Sequence, residues 1–363
     1  MNFNKLALPV LIALVYAPVQ VMAACSTPSA TGAPGTFTSN LTVFAKTYVT
    51  AGASSVVKGD VISGDVLTIG ASARVYGSVT SVGASNVGAG AASMGGNMVS
   101  GGVATVGAGG VVGGCLTSSG AATIGANASV TGDLISGGIA TTGDSATVGG
   151  NIGSGGYASI GANSHVTGTV AGVGATVIGA GGTTGSLFTL AASPITPTSL
   201  TASLVSVVSS NASQIATAQN YYSSLGMGTG LGTTMTTSMT LTGGGVFSAA
   251  NFTTTAGMTL TLDDQSVRHD WVFNITDYLV TGASTNVVMA NSHSDSTVTW
   301  NVKNGYVALG ASNNFLGTIL ANQYVSVGAS AIVKAINKSC GIYSAASYVS
   351  TGASAVVDGG CRP

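Results

Sequence analysis

The densest group of side chains that could do chemistry lies between two predicted strands. It contains three carboxylates, one guanidinium and one imidazole, from Asp263, Asp264, Arg268, His269 and Asp270. Paired carboxylates, or carboxylates holding a cation beside a basic residue, are what polysaccharide hydrolases and lyases require. Here the group falls in a turn, where polar residues solvate the loop. The pattern therefore predicts a polar turn and no catalytic residues.

The other ionisable residues also fail to form a catalytic or metal-binding set. His165 occupies an outward position of a predicted strand, and His293 lies with Asp295 in a loop. Asp60 and Asp133 share one repeat position but lie several repeats apart, too far for joint acid–base work. No CxxC spacing or nearby His pair accompanies the cysteines. We therefore expect a protein that is not an enzyme and that binds no metal or cofactor.

The start of the chain indicates export. Residues 1–23 combine Lys5, an apolar run at 6–15 and small residues that end at Ala23, as a secretory signal peptide does. No later stretch is continuously apolar for long enough to span a membrane. We expect a secreted or cell-surface protein.

Cysteine usage suits that compartment, because an even number in an exported chain indicates disulfides. Four cysteines allow three pairings, and we favour Cys25–Cys115 together with Cys340–Cys361. Acylation of Cys25, as in a lipoprotein, is the alternative, and the even number of cysteines weighs against it.

The composition excludes several classes of partner. Charged residues make up 5% of the chain, glutamate is absent and the formal net charge is −1, while 45% of residues are hydrophobic. A chain without a basic cluster is not expected to bind nucleic acid or an anionic membrane surface. Enough aliphatic residues remain to build a core, so the low charge indicates burial rather than disorder.

The elements that must position these residues repeat with a period of 18. The repeat is marked by one glycine in each copy: Gly52, Gly70, Gly88, Gly107, Gly125, Gly143, Gly161 and Gly179. The step from Gly88 to Gly107 is longer by one, which predicts a bulge near Ala91–Ala92. A fixed period of this kind is typical of a solenoid, in which each coil packs only against its neighbours.

Apolar residues around each glycine alternate as in strands, and the chain divides accordingly. We predict a signal peptide at 1–23, an N-terminal cap at 24–45, and regular solenoid coils at 46–190. Residues 191–363 should form a flanking helix followed by further coils. The helix is predicted at about 198–225 from an apolar stripe at three- and four-residue steps. The fold class is all-β, a β-solenoid of about 18 residues per coil with one long α-helix.

One outward column stands out. Two residues before each glycine stand mostly hydroxyl side chains: Thr50, Thr68, Asn86, Thr105, Thr123, Thr141 and Ser159. Coils stacked at about 4.7–4.9 Å would align these residues as a ladder on one face. Threonine is a good strand residue that stacks on itself, so a structural ladder and a functional one both remain open.

A family resemblance appears in the second half. Strand pairs at Leu262-Asp263 and Val272-Phe273, the strand of Trp300, and the segment 315–321 resemble the bacterial and microalgal ice-binding protein family. The similarity covers roughly residues 243–357, and a helix precedes it here as in that family. The resemblance implies a right-handed β-solenoid with one long helix alongside it. The regular coils at 64–185 resemble bactofilins, which are solenoids that polymerise end to end.

Two functions follow as hypotheses. The first is ice binding through a flat face rich in threonine and serine, since uncharged hydroxyls at regular spacing can hold ordered water. The second is a structural or adhesive role at the cell surface, with self-association through the ends of the solenoid. The expected partner is therefore an ice surface or a cell-surface matrix.

Overall fold

The computed structural model of the chain describes residues 41–336 and 341–359. These residues form one 39-stranded sheet, wound into stacked coils, and one α-helix. Every strand pairing between described residues is parallel, as between Met98–Ser100 and Leu116–Ser118. The predicted signal peptide and residues 24–40 lie outside the described residues. The solenoid and its helix confirm the predicted fold class.

The N-terminal stack comprises the strands that precede the helix. They are β1 (Leu41–Ala45), β2 (Val49–Ala51), β3 (Val56–Lys58), β4 (Asp60–Ser63), β5 (Leu67–Ile69), β6 (Arg74–Val75), β7 (Val79–Ser81), β8 (Ser85–Val87), β9 (Ser93–Met94), β10 (Met98–Ser100), β11 (Ala104–Val106), β12 (Val111–Val112), β13 (Leu116–Ser118), β14 (Ala122–Ile124), β15 (Ser129–Val130), β16 (Leu134–Ser136), β17 (Ala140–Thr142), β18 (Thr147–Val148), β19 (Ile152–Ser154), β20 (Ala158–Ile160), β21 (His165–Gly172), β22 (Thr176–Ile178) and β23 (Thr183–Thr189). Helix α1 (Pro197–Ser224) follows.

The C-terminal stack comprises the strands after the helix. They are β24 (Thr229–Gly230), β25 (Thr234–Met235), β26 (Met239–Thr242), β27 (Gly245–Thr254), β28 (Thr259–Asp263), β29 (Asp270–Val280), β30 (Asn286–Ala290), β31 (Thr297–Val302), β32 (Val307–Leu309), β33 (Asn314–Leu316), β34 (Thr318–Ala321), β35 (Val325–Val327), β36 (Ile332–Lys334), β37 (Ile342–Ser344), β38 (Val349–Thr351) and β39 (Val356–Asp358).

Each regular coil contributes one strand to each of three faces. The helix face contains β1, β4 and β7 and their neighbours in register, and the threonine face contains β2, β5 and β8. The third face contains β3, β6 and β9. Inward side chains from the three faces meet along the axis in one continuous core. Each face is therefore a set of parallel columns that run the length of the stack.

Tight packing at the corners explains the repeated glycine. A Cβ added to Gly125 would lie 2.6 Å from the backbone nitrogen of Ala108 in the preceding coil. Two residues later the chain turns through a left-handed conformation, for example at Asn127 with a φ of 55°. Glycine is needed where two backbones approach this closely, while serine, asparagine or glycine occupies the left-handed position.

The inserted residue lies where the longer glycine step predicts it. Ile69 pairs with Val87, its equivalent one repeat later, whereas Val75 pairs with Met94, one residue beyond the equivalent position. Between these pairs Ala91 has a φ of 59°, in addition to the usual left-handed residue Gly90. The extra residue is absorbed in a turn, so the strands on either side keep their register.

The last coil of the chain stacks on the first. Strand β1 lies between β4 on one side and β37 on the other, β2 between β5 and β38, and β3 between β6 and β39. We call this junction the seam. It makes the two stacks one continuous rod whose middle contains the first coil. Residues 41–45 of the predicted cap are thus a buried strand inside the rod, and residues 24–40 of that cap lie outside the described residues.

Helix α1 carries the chain from the N-terminal stack to the far end of the C-terminal stack. The Ser119 hydroxyl donates to the Pro197 carbonyl at one end, and the Asn274 amide donates to the Tyr222 carbonyl at the other. A helix rises about 1.5 Å per residue, so the stretch from Pro197 to Tyr222 spans about 38 Å. The same two points are eight strand pairings apart on the helix face, which at about 4.8 Å each is also about 38 Å. The helix is therefore as long as the part of the rod that it covers.

The helix uses polar as well as apolar residues to cover the helix face. Leu204, Val208, Ile215 and Ala218 are buried, as the predicted stripe requires. The polar residue Gln219 is buried as well, and its side-chain amide donates to the carbonyls of Val302 and Leu320. Strand ends leave carbonyls that need donors, so a buried amide is tolerated there.

The two stacks fill the same core differently. Aliphatic side chains and methionines fill the axial core of the N-terminal stack, whereas that of the C-terminal stack also contains aromatic rings. Phe273 and Trp300 stack with ring centroids 3.9 Å apart, and Trp300 also contacts Phe315 at 5.0 Å. Larger rings need a wider coil, and the coil that runs from Phe247 to its partner Phe273 is longer than the regular repeat. Coil length and side-chain volume therefore increase together.

Candidate functional site

The polar turn at 263–270 is held by structural hydrogen bonds. Asp264 is fully buried, accepts a bond from the Trp271 indole N–H at 2.8 Å, and accepts another from the His293 backbone. The side chain of Asn291, and then the backbone N–H of Gln265, holds the pKa of Asp263 below its ordinary value. Each of these two carboxylates is engaged by groups that fix the loop. The prediction of a structural polar turn fits this geometry.

The other ionisable candidates form hydrogen bonds with residues of the neighbouring coil. His165 contacts the Thr183 hydroxyl at 2.7 Å in the next coil. Asp60 accepts from the Ser78 backbone N–H, and Asp133 accepts from that of Asn151, one coil later in each case. Burial raises the pKa of Asp60, and the bond from Ser78 opposes that effect. Within residues 41–336 and 341–359, no group of three His, Cys, Asp or Glu side chains could hold a metal.

The predicted hydroxyl ladder is a column in register on the threonine face. Thr50 pairs with Thr68, Thr68 with Asn86, and Asn86 with Thr105. The column continues through Thr123 and Thr141 to Ser159. In each of these strands the residues on either side of the column position are buried, so the column side chains point outward.

The column does not stop at the seam. Ser350 pairs with Thr50, Ser326 with Ser350, and Ala308 with Ser326. The complete column, in spatial order, is Thr234, Thr253, Val280, Ala308, Ser326, Ser350, Thr50, Thr68, Asn86, Thr105, Thr123, Thr141, Ser159 and Val177. At about 4.8 Å per step it is roughly 60 Å long. It contains no charged side chain and is richest in threonine between Thr50 and Thr141.

The column is bordered by glycine on one side. The repeat glycines lie two residues beyond it and stack directly on each other across the seam, as Gly52 does on Gly352. A row without side chains gives the face a flat margin. The methyl and hydroxyl groups of Thr105, Thr123 and Thr141 are therefore accessible to a flat surface.

From Val280 to Thr50 the other border is a column of tyrosines, which was not predicted from the sequence. Tyr278, Tyr306, Tyr324, Tyr348 and Tyr48 stack with ring centroids 4.6–5.6 Å apart and planes within 15° of parallel. Each lies two residues before a column position, a spacing that was visible in the sequence. The stack crosses the seam, and Tyr48 stacks on Tyr348 there. Aromatic stacking thus helps to join the two halves.

The remaining faces suit a flat, uncharged surface less well. Helix α1 covers the helix face. The third face carries the exposed cations Lys58, Arg74 and Lys334, and Lys58 forms an ion pair with Asp358 at 2.7 Å. In the part of the rod that the structure describes, only the threonine face is both uncovered by the helix and uncharged along its central column.

The column hydroxyls are available to solvent. Among the described residues, no protein group forms a hydrogen bond with the side chains of Thr50, Thr68, Thr105, Thr123 or Thr141. A half-exposed hydroxyl in this state donates to and accepts from water. Water molecules bound at neighbouring rungs would share the regular spacing of the column.

Of the four cysteines, Cys115 lies among the described residues. Cys115 is disulfide-bonded, and there is no free cysteine in the part of the chain that the structure describes. Cys25, Cys340 and Cys361 lie outside that part, so both pairings stay predictions. No helix among the described residues is long and apolar enough to cross a membrane.

Comparison with known proteins identifies relatives in one group. Residues 134–341, more than half of the chain, match the ice-binding-like family. No curated protein sequence matches the chain. Among solved structures, an ice-binding protein from the Antarctic ascomycete Antarctomyces psychrotrophicus is similar, with a TM-score of 0.39, 15% identity, and 88% of this chain and 95% of that chain covered. An ice-binding protein domain from Shewanella frigidimarina is similar with a TM-score of 0.37, 18% identity and coverages of 62% and 93%.

Proposed function

The chain belongs to the ice-binding-like family, and from that membership we propose that it binds ice through the threonine face. The observation that carries the proposal is the uncharged column in register from Thr50 to Ser159. Ice presents no charge and no protruding group, so a binder needs area, flatness and regular spacing rather than a pocket. The threonine face offers all three.

Water explains why this column suits the task. Threonine places a hydroxyl and a methyl group at each rung, about 4.8 Å apart. Hydroxyls without a protein partner anchor water by hydrogen bonds, while the methyl groups restrict how that water orients. An ordered first layer can then merge with the ice lattice. A charged side chain would bind its own hydration shell and disturb that layer, which the column avoids.

Export fits the same proposal, because a protein that binds extracellular ice must leave the cell. The signal peptide predicted at 1–23 and the disulfide at Cys115 support secretion. We propose a mature protein that acts outside the cell, with the regular coils, the helix and the C-terminal coils acting together as one rigid support for the face.

The proposal is tested by replacing the centre of the column. The triple variant Thr105→Tyr, Thr123→Tyr and Thr141→Tyr inserts bulky rings that lift the face from a flat lattice. We expect it to lose thermal hysteresis and inhibition of ice recrystallisation while keeping its circular dichroism spectrum, because the replaced side chains point outward.

A matched control uses three exposed threonines of the third face. The triple variant Thr131→Tyr, Thr147→Tyr and Thr183→Tyr adds the same rings where no ice contact is proposed. It should keep the activity of the parent protein. Equal loss in both triple variants would contradict the choice of face, and an inactive parent with an intact fold would contradict ice binding itself.

A further inference from the structure

The end of the rod at β22 and β23 exposes three large apolar residues. Val177 is 58% exposed, Leu187 50% and Phe188 59%. Leu187 pairs with Val170, a core residue that is fully buried one coil earlier. The core column therefore reaches the surface at Leu187, because no described coil follows it.

The strands at this end have free edges. β22 pairs with β20, and β23 pairs with β21, while no described strand lies on their other side. Residues 167–190 contain no charged residue and no proline. Charges and prolines are the usual means by which proteins protect an exposed edge from pairing with another chain. This edge lacks both.

Residues 24–40 precede β1, which lies far from this end of the rod. From β1 to β23 there are eight pairings on the helix face, about 38 Å. Residues 24–40, fully extended, span at most about 58 Å and would use most of that length to arrive. A second copy of the chain presents the same uncharged free edge and the same exposed apolar residues, so it is the occupant that fits.

The two ends of the rod differ, which decides how copies would meet. At the opposite end β24, β25 and β26 are each shorter than β23, and the most exposed large apolar residue is Met227, at 75%. A head-to-tail contact would join unlike surfaces, whereas a two-fold contact joins the apolar end to itself. The longer free edge, Ser186–Thr189 of β23, is the part that can pair with its own copy in antiparallel fashion.

We propose that two copies of this protein form a closed dimer through the β22–β23 end, with the two β23 strands paired across a two-fold axis. The contact buries Leu187 and Phe188 of both copies and satisfies the free backbone groups of both edges. It uses the end of the rod and not the outward side of the threonine face, so its test does not depend on ice binding.

The first experiment measures mass by sedimentation equilibrium across a dilution series of the full mature chain. We expect a concentration-dependent species of twice the chain mass and no larger polymer. Phe188→Lys should weaken the dimer by at least about tenfold, since a central apolar anchor is replaced by a charge. Phe188 is outward and more than half exposed in the single chain, so this variant should fold.

Met227→Lys is the matched control, because it adds the same charge to an exposed apolar residue at the other end. It should leave the dimer unchanged. A parent protein that stays monomeric throughout, or a dimer that Met227→Lys disrupts and Phe188→Lys does not, would overturn the proposal. Filaments of increasing mass would show head-to-tail contact and overturn it as well.

A second measurement does not depend on weakening the contact. Ser186→Cys places a thiol on each β23, and a short bismaleimide reagent should link two copies through it. Thr229→Cys, at the opposite end, should give no covalent dimer. Linkage through residue 229, or none through residue 186, would contradict a two-fold contact at β23.

Discussion

The N-terminal and C-terminal stacks reach one architecture by opposite routes. Between β1 and β22 the coils are nearly identical, are filled with aliphatic residues and methionines, and pack closely at glycine corners. Between β24 and β39 the coil length varies: the coil from Leu279 to its partner Val307 is longer than the next one, from Val307 to Val325. Aromatic rings fill the wider coils there. Coils of uniform length produce a regular surface, and coils of varying length enclose a larger core.

This difference assigns separate tasks to the two stacks. Threonine is most frequent in the column from Thr50 to Thr141, mostly outside the residues that match the family, whereas Val280 and Ala308 interrupt the polar column in the C-terminal stack. The aromatic core lies largely within the match. We infer that the C-terminal stack supplies stability and that the N-terminal stack supplies most of the proposed binding surface. Three predictions test that division.

The largest effect is expected in the aromatic core. Trp300→Ala removes a fully buried ring that stacks on Phe273 and donates from its indole N–H to the Leu316 carbonyl. We expect a loss of about 3–5 kcal/mol in the free energy of unfolding, measured by urea denaturation. Tyr76→Ala, at an exposed site of the N-terminal stack, should change it by less than about 0.5 kcal/mol. A similar loss of unfolding free energy in both variants would contradict the role of the aromatic core in stability.

A smaller effect should follow from opening a glycine corner in the N-terminal stack. In Gly125→Ala the new Cβ meets backbone of the preceding coil at 2.6 Å, so the coils must separate. Overpacking of this kind costs about 1–3 kcal/mol in the free energy of unfolding, which urea denaturation would measure. It should also reduce ice recrystallisation inhibition, because the spacing of Thr105 and Thr123 changes.

Gly230→Ala is the control for the glycine prediction, since nothing lies within 4 Å of its added Cβ. It should alter neither stability nor activity appreciably. If Gly125→Ala were as stable as the parent, close stacking would not be what keeps the rungs regular.

The smallest effect is expected at the seam and depends on pH. The buried Tyr343 hydroxyl donates to the Leu41 carbonyl at 2.6 Å, and burial raises the pKa of Tyr343. A raised pKa in the folded state gives stability that is complete below the unfolded value near 10 and is lost as the pH rises above it. Tyr343→Phe should cost about 1 kcal/mol at pH 7 and show a shallower loss of stability between about pH 9 and 11.

The measurement for the seam is the urea midpoint of both proteins across that pH range. Tyr324 and Tyr348 also have raised pKa values through partial burial, so the difference between parent and variant isolates Tyr343. Parallel curves for the two proteins would show that the Tyr343 hydroxyl does not couple the seam to alkaline pH.

Local features of the sequence account for much of the fold and of the candidate site. The glycine period places the coils, the apolar stripe places α1 within one residue of its observed ends, and the threonine spacing gives the column. The coils, the helix and the column can each be predicted from residues that are close in the chain or from the 18-residue repeat. The tyrosine column had the same kind of signal, two residues before Thr50 and its equivalents, and was overlooked.

The seam could not be inferred in this way. Gly52 and Gly352 each begin a Gly-Ala-Ser triplet that several other coils also contain. The sequence pattern therefore does not indicate which two coils stack on each other. Their pairing is decided by the length of α1 and by the stacking of Tyr48 on Tyr348, which are properties of the folded molecule. The burial of Gln219 has the same origin, since its partners are carbonyls of distant strands.

The seam also determines where the molecule can be tethered. Leu41 and Gly359 lie beside each other in the middle of the rod, and a Cβ on Gly359 would meet the Thr42 side chain. In a protein trimmed to residues 41–359, a fluorescent protein or surface anchor joined at Leu41 or Gly359 would therefore project from the middle of the rod, and both ends would stay unobstructed. Linking residue 359 to residue 41 and opening the chain in the loop after β23 should give a permuted protein with the same rod.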